Sequence, residues 1–183
     1  MSNNDGTPEV SRRAMLRGIG ASGAVALAGA VVLGGTGTAQ AAQDGWLWCN
    51  LCSGLWYGRH DTYGTCPGNS LGHRGVHSGI YTLKYSSDGG GGQDDWRWCR
   101  TCEGLWYNGH PSNGVCPAGG AHTPWGSGNY LLSYSPNGGG QDNWRWCLQC
   151  EGLWHAGGAG TNRCPAGGGH TYSGSGNYII PKN

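Results

Sequence analysis

The sequence predicts an all-β protein built from three tandem units of about 48 residues, each a β-hairpin followed by one further strand. Three observations lead there. The opening Gln-Asp-x-Trp-x-Trp-Cys begins at Gln43, Gln93 and Gln141, and its first Trp recurs after 50 and then 48 residues, at Trp46, Trp96 and Trp144. Trp-x-Trp has the two-residue period of a strand, and nothing beyond residue 41 has a helical period. Gly-rich runs at 89–92 and 138–140 interrupt the pattern before each new unit. The organisation is therefore a leader at 1–41 and units at 42–92, 93–140 and 141–183.

The leader reads as an address. Ser11-Arg12-Arg13-Ala14-Met15-Leu16-Arg17 resembles the twin-arginine export motif, with Met15 where that motif usually has Phe. An Ala- and Gly-rich apolar run from Gly18 to Gly35 follows, and Ala39-Gln40-Ala41 is a small-residue cleavage site. The run is roughly long enough to span a bilayer. Its glycines, the paired arginines before it and the cleavage site behind it point instead to a removed signal, a mature chain starting near Ala42, secretion, and no stable membrane anchor after cleavage. The twin-arginine route carries proteins already folded in a reducing cytoplasm, so whatever stabilises this fold must be available there.

Within each unit, Trp-x-Trp puts both indoles on one face of a strand and Leu47, Arg97 or Arg145 on the other. Gly-Leu-Trp after the Cys pair reads as the returning strand, and Tyr130-Leu131-Leu132-Ser133-Tyr134 as the third strand. The core is poor. Beyond residue 41 there are ten Trp and nine Tyr but only fifteen Leu, Ile and Val and no Phe, while 31 of 142 residues are Gly. Glycine loses the most backbone freedom on folding, so this composition calls for covalent or metal staples. Two architectures fit: separate stapled modules on Gly-rich connectors, or units packed around a pseudo-threefold axis as in a β-trefoil. Short connectors and strands that need a partner surface favour packing.

The nine Cys fall into three sets, each with a His in constant register. Cys-x2-Cys-x13-Cys-x5-6-His groups Cys49, Cys52, Cys66 and His73; Cys99, Cys102, Cys116 and His122; and Cys147, Cys150, Cys164 and His170. Three thiolates and one imidazole are the donors of a closed tetrahedral zinc site, with iron as the substitute. A Tyr eight residues beyond each His (Tyr81, Tyr130, Tyr178) selects His73 over His77. Disulfides are the usual alternative in secreted chains, but three Cys per unit leave one thiol over. With four protein ligands and no position for water, these sites are structural.

Trp-x-Trp-Cys-x-x-Cys-x-Gly-Leu-Trp, together with Cys-Pro-Ala-Gly-Gly-x-His and Gly-Ser-Gly-Asn-Tyr, resembles a tandem repeat of secreted bacterial proteins that is sometimes appended to enzymes. The resemblance covers nearly all of the chain beyond the leader and implies units of zinc-ribbon or zinc-knuckle type. Cys66-Pro67-Gly68-Asn69-Ser70-Leu71-Gly72-His73 departs from it by one extra residue.

Charge beyond the leader is balanced, eight Lys and Arg against eight Asp and Glu, which disfavours nucleic acid and anionic membranes as partners. No nucleophile elbow, His-Glu-x-x-His or phosphate loop is present, and Asp94 and Asp95 are adjacent on a strand and face apart, so no enzyme is expected. Residues recurring in every unit serve the fold, and function belongs to the rest. Trp56, Trp106 and Trp154 alternate with Leu55, Leu105 and Leu153, so one row faces outward; an outward Trp row would stack on sugars, with Tyr57 and Tyr107 beside it. Trp125 stands in a turn where the other units have Val76 and Ser173 and is the most pointed ligand-binding candidate. His60 and His110 read as solvated loop residues. The expected function is a secreted, non-enzymatic module that binds carbohydrate or cell wall; the alternative is an interaction or assembly subunit of an extracellular complex, with a protein partner.

Overall fold

The Trp-x-Trp alternation is realised as strands throughout. In the computed structural model, which describes residues 41–158 and 160–183, there are nine strands and no α-helix. The export signal falls outside the described residues, save for Ala41. Unit 1 holds β1 (Gln43–Trp48), β2 (Leu55–Tyr57) and β3 (Ile80–Tyr85), unit 2 β4 (Gln93–Trp98), β5 (Leu105–Tyr107) and β6 (Tyr130–Tyr134), and unit 3 β7 (Gln141–Trp146), β8 (Leu153–His155) and β9 (Tyr178–Ile180). In each unit the first strand pairs antiparallel with both others, with Trp46 opposite Tyr57 and Tyr81 in unit 1. A bulge after the first Gln bends that strand, and its extra residue takes positive φ at Gly45, Asp95 and Asn143.

The units close on one another as a ring. β3 pairs with β6, β6 with β9, and the end of the chain returns to β3 through the Tyr81–Lys182 bridge, the Thr82 N–H donating to the Pro181 carbonyl at 3.1 Å. A second ring joins the hairpins: the Tyr57, Tyr107 and His155 N–H groups donate to the carbonyls of Glu103, Glu151 and Ser53 at 2.8–2.9 Å. Each seam also has a tyrosine hydroxyl donating to a glutamine: Tyr130 to Gln43, Tyr178 to Gln93 and Tyr81 to Gln141. The packed arrangement is thus the one adopted, and all nine strands belong to one compact body.

The core repeats with the ring. Trp46, Trp96 and Trp144 are fully buried, and each meets a tyrosine of a neighbouring unit edge-on at 5.1–5.3 Å: Tyr130, Tyr178 and Tyr81. Leu55, Leu105, Leu153, Leu83, Leu132 and Ile180 fill the rest. The shortage of aliphatic residues is met by aromatic edges, worth about 0.5–1.5 kcal/mol per pair beyond area burial. Gly92 and Gly140 explain the Gly-rich connectors: both take positive φ, and a Cβ there would run into the carbonyl of Leu132 or Ile180 on the third strand.

Candidate metal centres and the surface around them

Each hairpin ends in a knuckle that aims two sulfurs at one point. In unit 1 the Cys49 N–H donates to the Gly54 carbonyl at 2.9 Å and the Ser53 N–H to the Cys49 carbonyl at 2.8 Å; Ser53 takes positive φ to allow it, as do Glu103 and Glu151. The loop after β2 then brings in the Cys-Pro turn and the His. The result is three buried clusters: Cys49, Cys52, Cys66, His73; Cys99, Cys102, Cys116, His122; and Cys147, Cys150, Cys164, His170, with the ligand atoms of each within 4.8 Å of one another. His77 is exposed and takes no part. Leu55, Leu105, Leu153 and Pro67, Pro117, Pro165 share one apolar cavity of about 40 Å³, which groups the three centres at one end of the ring.

The distances fit zinc. A tetrahedral ion with Zn–S near 2.3 Å and Zn–N near 2.0 Å sets S···S edges of about 3.8 Å and S···N edges of about 3.5 Å. Cys49–Cys66, Cys99–Cys116 and Cys147–Cys164 stand at 3.8–4.0 Å, and Cys52, Cys102 and Cys150 lie 3.4–3.6 Å from the Nδ1 of their histidines. Disulfides would need sulfurs about 2.05 Å apart, and all nine Cys are free. The field inside each cluster also calls for a cation. Burial lowers His73 and His122, yet hydrogen bonds and charge from Cys49 and Cys66, or from Cys116 and Cys99, hold both up at about 9. Hydrogen bonds with neighbouring sulfurs, reinforced by burial, push Cys52, Cys102 and Cys150 well up. A divalent ion supplies the charge these sulfurs need and leaves the imidazole neutral.

The surroundings tie each centre to the next. His73 Nε2 donates to the Cys102 carbonyl and His122 Nε2 to the Cys150 carbonyl, both at 3.1 Å, so the bond that orients one ligand ends on the backbone of a ligand of the following centre. Backbone N–H groups of Gly68 and Arg74 point at Cys66 and Cys49 Sγ at 3.4 Å, favouring thiolate. Trp56, Trp106 and Trp154 stack on His73, His122 and His170 at 5.3–5.4 Å, with ring planes 16–17° apart.

That stacking corrects the expectation of an outward Trp row. Trp56, Trp106 and Trp154 are 2, 0 and 4 % exposed and form the wall of each metal centre. Alternation on a free strand would expose one row, but here the Leu row faces the axis and the Trp row lies under the His loop, so both are covered. Tyr57 and Tyr107 are half-buried in the seams. Trp125 stands out in its turn at 68 % exposure, with the Arg100 guanidinium 4.2 Å over its ring. Tyr172, in the same turn of unit 3, is equally open and lies beneath Arg145.

His60 and His110 are solvent-accessible, as expected of loop residues, but each is also tied to a buried carboxylate of the next unit. His60 Nδ1 lies 2.8 Å from the buried Glu103 carboxylate across the seam, which also accepts from Trp98 Nε1 at 2.7 Å and Thr62 Oγ1 at 3.0 Å; His110, Glu151 and Trp146 repeat the arrangement between units 2 and 3. The signal was available: Glu103 and Glu151 follow the second Cys of units 2 and 3, unit 1 has Ser53, and the histidines occur only in units 1 and 2. A residue of one unit was matched to a residue of the next.

Fold and site together define an all-β ring of three units with three structural zinc centres and exposed aromatic side chains. No protein-family model, curated protein or solved structure matches the chain. Among the described residues no helix is long and apolar enough to cross a membrane.

Proposed function

We propose that the protein is a secreted, non-enzymatic binding module that holds carbohydrate, such as cell-wall or environmental polysaccharide, through aromatic side chains on the turns that follow its zinc-ligating histidines. The observation that carries this reading is the pair Trp125 and Tyr172. Both are large, open rings, on turns that begin two residues beyond a buried His, and each has a guanidinium beside it. The Ser127 and Ser175 hydroxyls fix these turns by accepting from the Trp98 and Trp146 N–H groups at 2.7 Å. Rigid aromatic faces held this way stack on sugar rings with little entropy to lose. Related sites around one axis add avidity to weak single contacts. Four protein ligands close each zinc to water, which favours a structural role over hydrolysis.

The test is retention of the zinc-loaded protein on a panel of insoluble polysaccharides and bacterial cell walls, with soluble sugars as competitors. Competable retention that falls for Trp125→Ala and Tyr172→Ala supports the reading, and absence of retention across the panel rejects it. One observation favours the second reading, a protein partner: in unit 1 an apolar cleft opens between Leu47, Trp56, Tyr63, Leu71 and Val76, where units 2 and 3 carry Arg97 and Arg145 in place of Leu47. Capture of a defined extracellular protein, abolished by Leu71→Asp, would favour that alternative.

A further inference from the structure

We propose that the seam between units 1 and 2, and its counterpart between units 2 and 3, each hold one neutral pyranose ring. The proposal rests on the carbohydrate reading above and assigns it a second kind of site, away from the exposed turns. A cavity of about 190 Å³ opens at the first seam between Tyr57, His60, Tyr85, Trp98 and Tyr130. That is room for a single sugar ring, well below the roughly 300 Å³ at which pockets for drug-sized ligands begin. The walls are ring faces and edges: Tyr57 and Trp98 meet His60 edge-on at 4.8 and 4.9 Å, and Tyr85 stacks on Tyr130 at 5.1 Å. The floor is kept clear by Gly128, where a side chain would run into the Tyr85 ring.

The polar groups point to a neutral ligand. Glu103 lies behind the cavity, but its oxygens are taken by His60, Thr62 and Trp98, so its charge fixes the imidazole instead of facing a ligand. His60 Nε2 and the Tyr57 hydroxyl have no hydrogen-bond partner among the described residues and are left for sugar hydroxyls. Hydroxyl and imidazole hydrogen-bonding groups between aromatic walls suit a pyranose, with hydroxyls at its rim and C–H groups on its faces.

The molecule carries its own comparison. At the second seam the set recurs: Tyr107 and Trp146 meet His110 at 5.2 and 4.7 Å, Tyr134 stacks on Tyr178 at 5.4 Å, and Glu151 holds His110 and Trp146. At the third seam four positions differ. Lys182 stands where Tyr85 and Tyr134 do, its Nζ 5.8 Å from the Tyr81 ring; Gly158 replaces the histidine, His155 replaces Tyr57, and Ser53 replaces the glutamate. Two sites per chain follow, not three, despite the threefold plan.

The experiment is an NMR titration of the zinc-loaded protein with the methyl glycosides of glucose, galactose, mannose and N-acetylglucosamine, and separately with choline chloride. The signals read are the indole N–H groups of Trp98, Trp146 and Trp48, one at each seam. At least one glycoside should shift Trp98 and Trp146 and leave Trp48 in place. Tyr85→Ala should abolish the Trp98 response alone and Tyr134→Ala the Trp146 response alone, with three zinc retained. Tyr57→Phe, which keeps the packing, should weaken binding at the first seam about three- to tenfold. No shift with any glycoside, equal shifts at all three seams, a response indifferent to Tyr85 and Tyr57, or binding of choline in place of the glycosides would each overturn the proposal. Polysaccharide retention that depends on Trp125 but not on Tyr85 or Tyr134 would sink the seam sites and leave the carbohydrate reading standing. Seam binding of glycosides with no retention on any polysaccharide would leave the seam sites standing and remove the exposed turns of Trp125 and Tyr172 as a polysaccharide-binding surface.

Discussion

Replacing Trp106 by alanine separates the buried reading of the Trp row from the exposed one. Trp106 is fully buried and lies against His122. A buried Trp covers roughly 200 Å², which at about 25 cal/mol per Å² is worth about 5 kcal/mol. Measured Trp and Phe truncations in cores cost about 3–5 kcal/mol, so about 4 kcal/mol is the expected loss. In a domain of this size each kcal/mol moves the melting temperature by about 2–4 °C, giving a fall of about 8–16 °C. Trp125→Ala is the matched control: the same residue type, exposed, with only the Arg100 contact of about 0.5–1 kcal/mol to lose. The assay is thermal unfolding of both variants followed by circular dichroism, with zinc counted beforehand. Both should hold three zinc, because neither Trp is a ligand, and only Trp106→Ala should melt early. A Trp106→Ala protein that melts within about 2 °C of the wild type but loses polysaccharide retention would refute the burial argument.

Cys102→Ser should drop the zinc count to two and abolish the single cooperative transition, since one structural zinc contributes about 10 kcal/mol or more, as much as a whole domain's net stability. Units 1 and 3 melting normally in that variant would mean independent modules. Burial pushes Tyr81 up to about 12 from 10.0 and raises Tyr130 and Tyr178 as well, and all three donate across seams. A raised acid favours the neutral form in the folded state, so this stability is whole below pH 10 and is lost as pH rises through 12. Followed by phenolate absorbance, these three of the nine tyrosines should ionise only as the ring opens; nine tyrosines titrating together near pH 10 in a folded protein would contradict it.

The strands, the ring and the metal ligands were legible because each is repeated. Cys-x2-Cys with a third Cys and a His in fixed register has one economical geometry, and β2, β5 and β8 fall where Gly-Leu-Trp stands. The burial of Trp56, Trp106 and Trp154 was not legible. Strand alternation says which residues share a face, but not that the His loop folds back over that face to stack on it. The His60–Glu103 and His110–Glu151 pairs were hidden for a related reason: they join positions 43 and 41 residues apart, in different units, and comparing each unit only with its own copies cannot reveal a contact with the next.

The same offset singles out the third seam as the place where the ring opens first. Ser53 stands where the other seams bury Glu103 and Glu151, and Trp48 Nε1 is buried with no partner among the described residues, whereas Trp98 and Trp146 have one. Gly64 and Gly114 press so closely on the Cys102 and Cys150 carbonyls that a Cβ would collide with them; Asn162 holds the matching position in unit 3, and its amide accepts from the His170 N–H. Each missing hydrogen bond of this kind is worth about 0.5–1.5 kcal/mol, and an unpaired buried donor costs about 1–3 kcal/mol. Three equivalent amides report the difference: Tyr57, Tyr107 and His155 donate to Glu103, Glu151 and Ser53 at nearly equal distances. Under native conditions the His155 amide should exchange with solvent deuterium at least about tenfold faster than the other two, because local opening needs about 1.4 kcal/mol less for each factor of ten. Equal protection at all three would show that the seams open together and that the substitutions at Ser53, Gly158 and Lys182 leave the ring's energetics threefold.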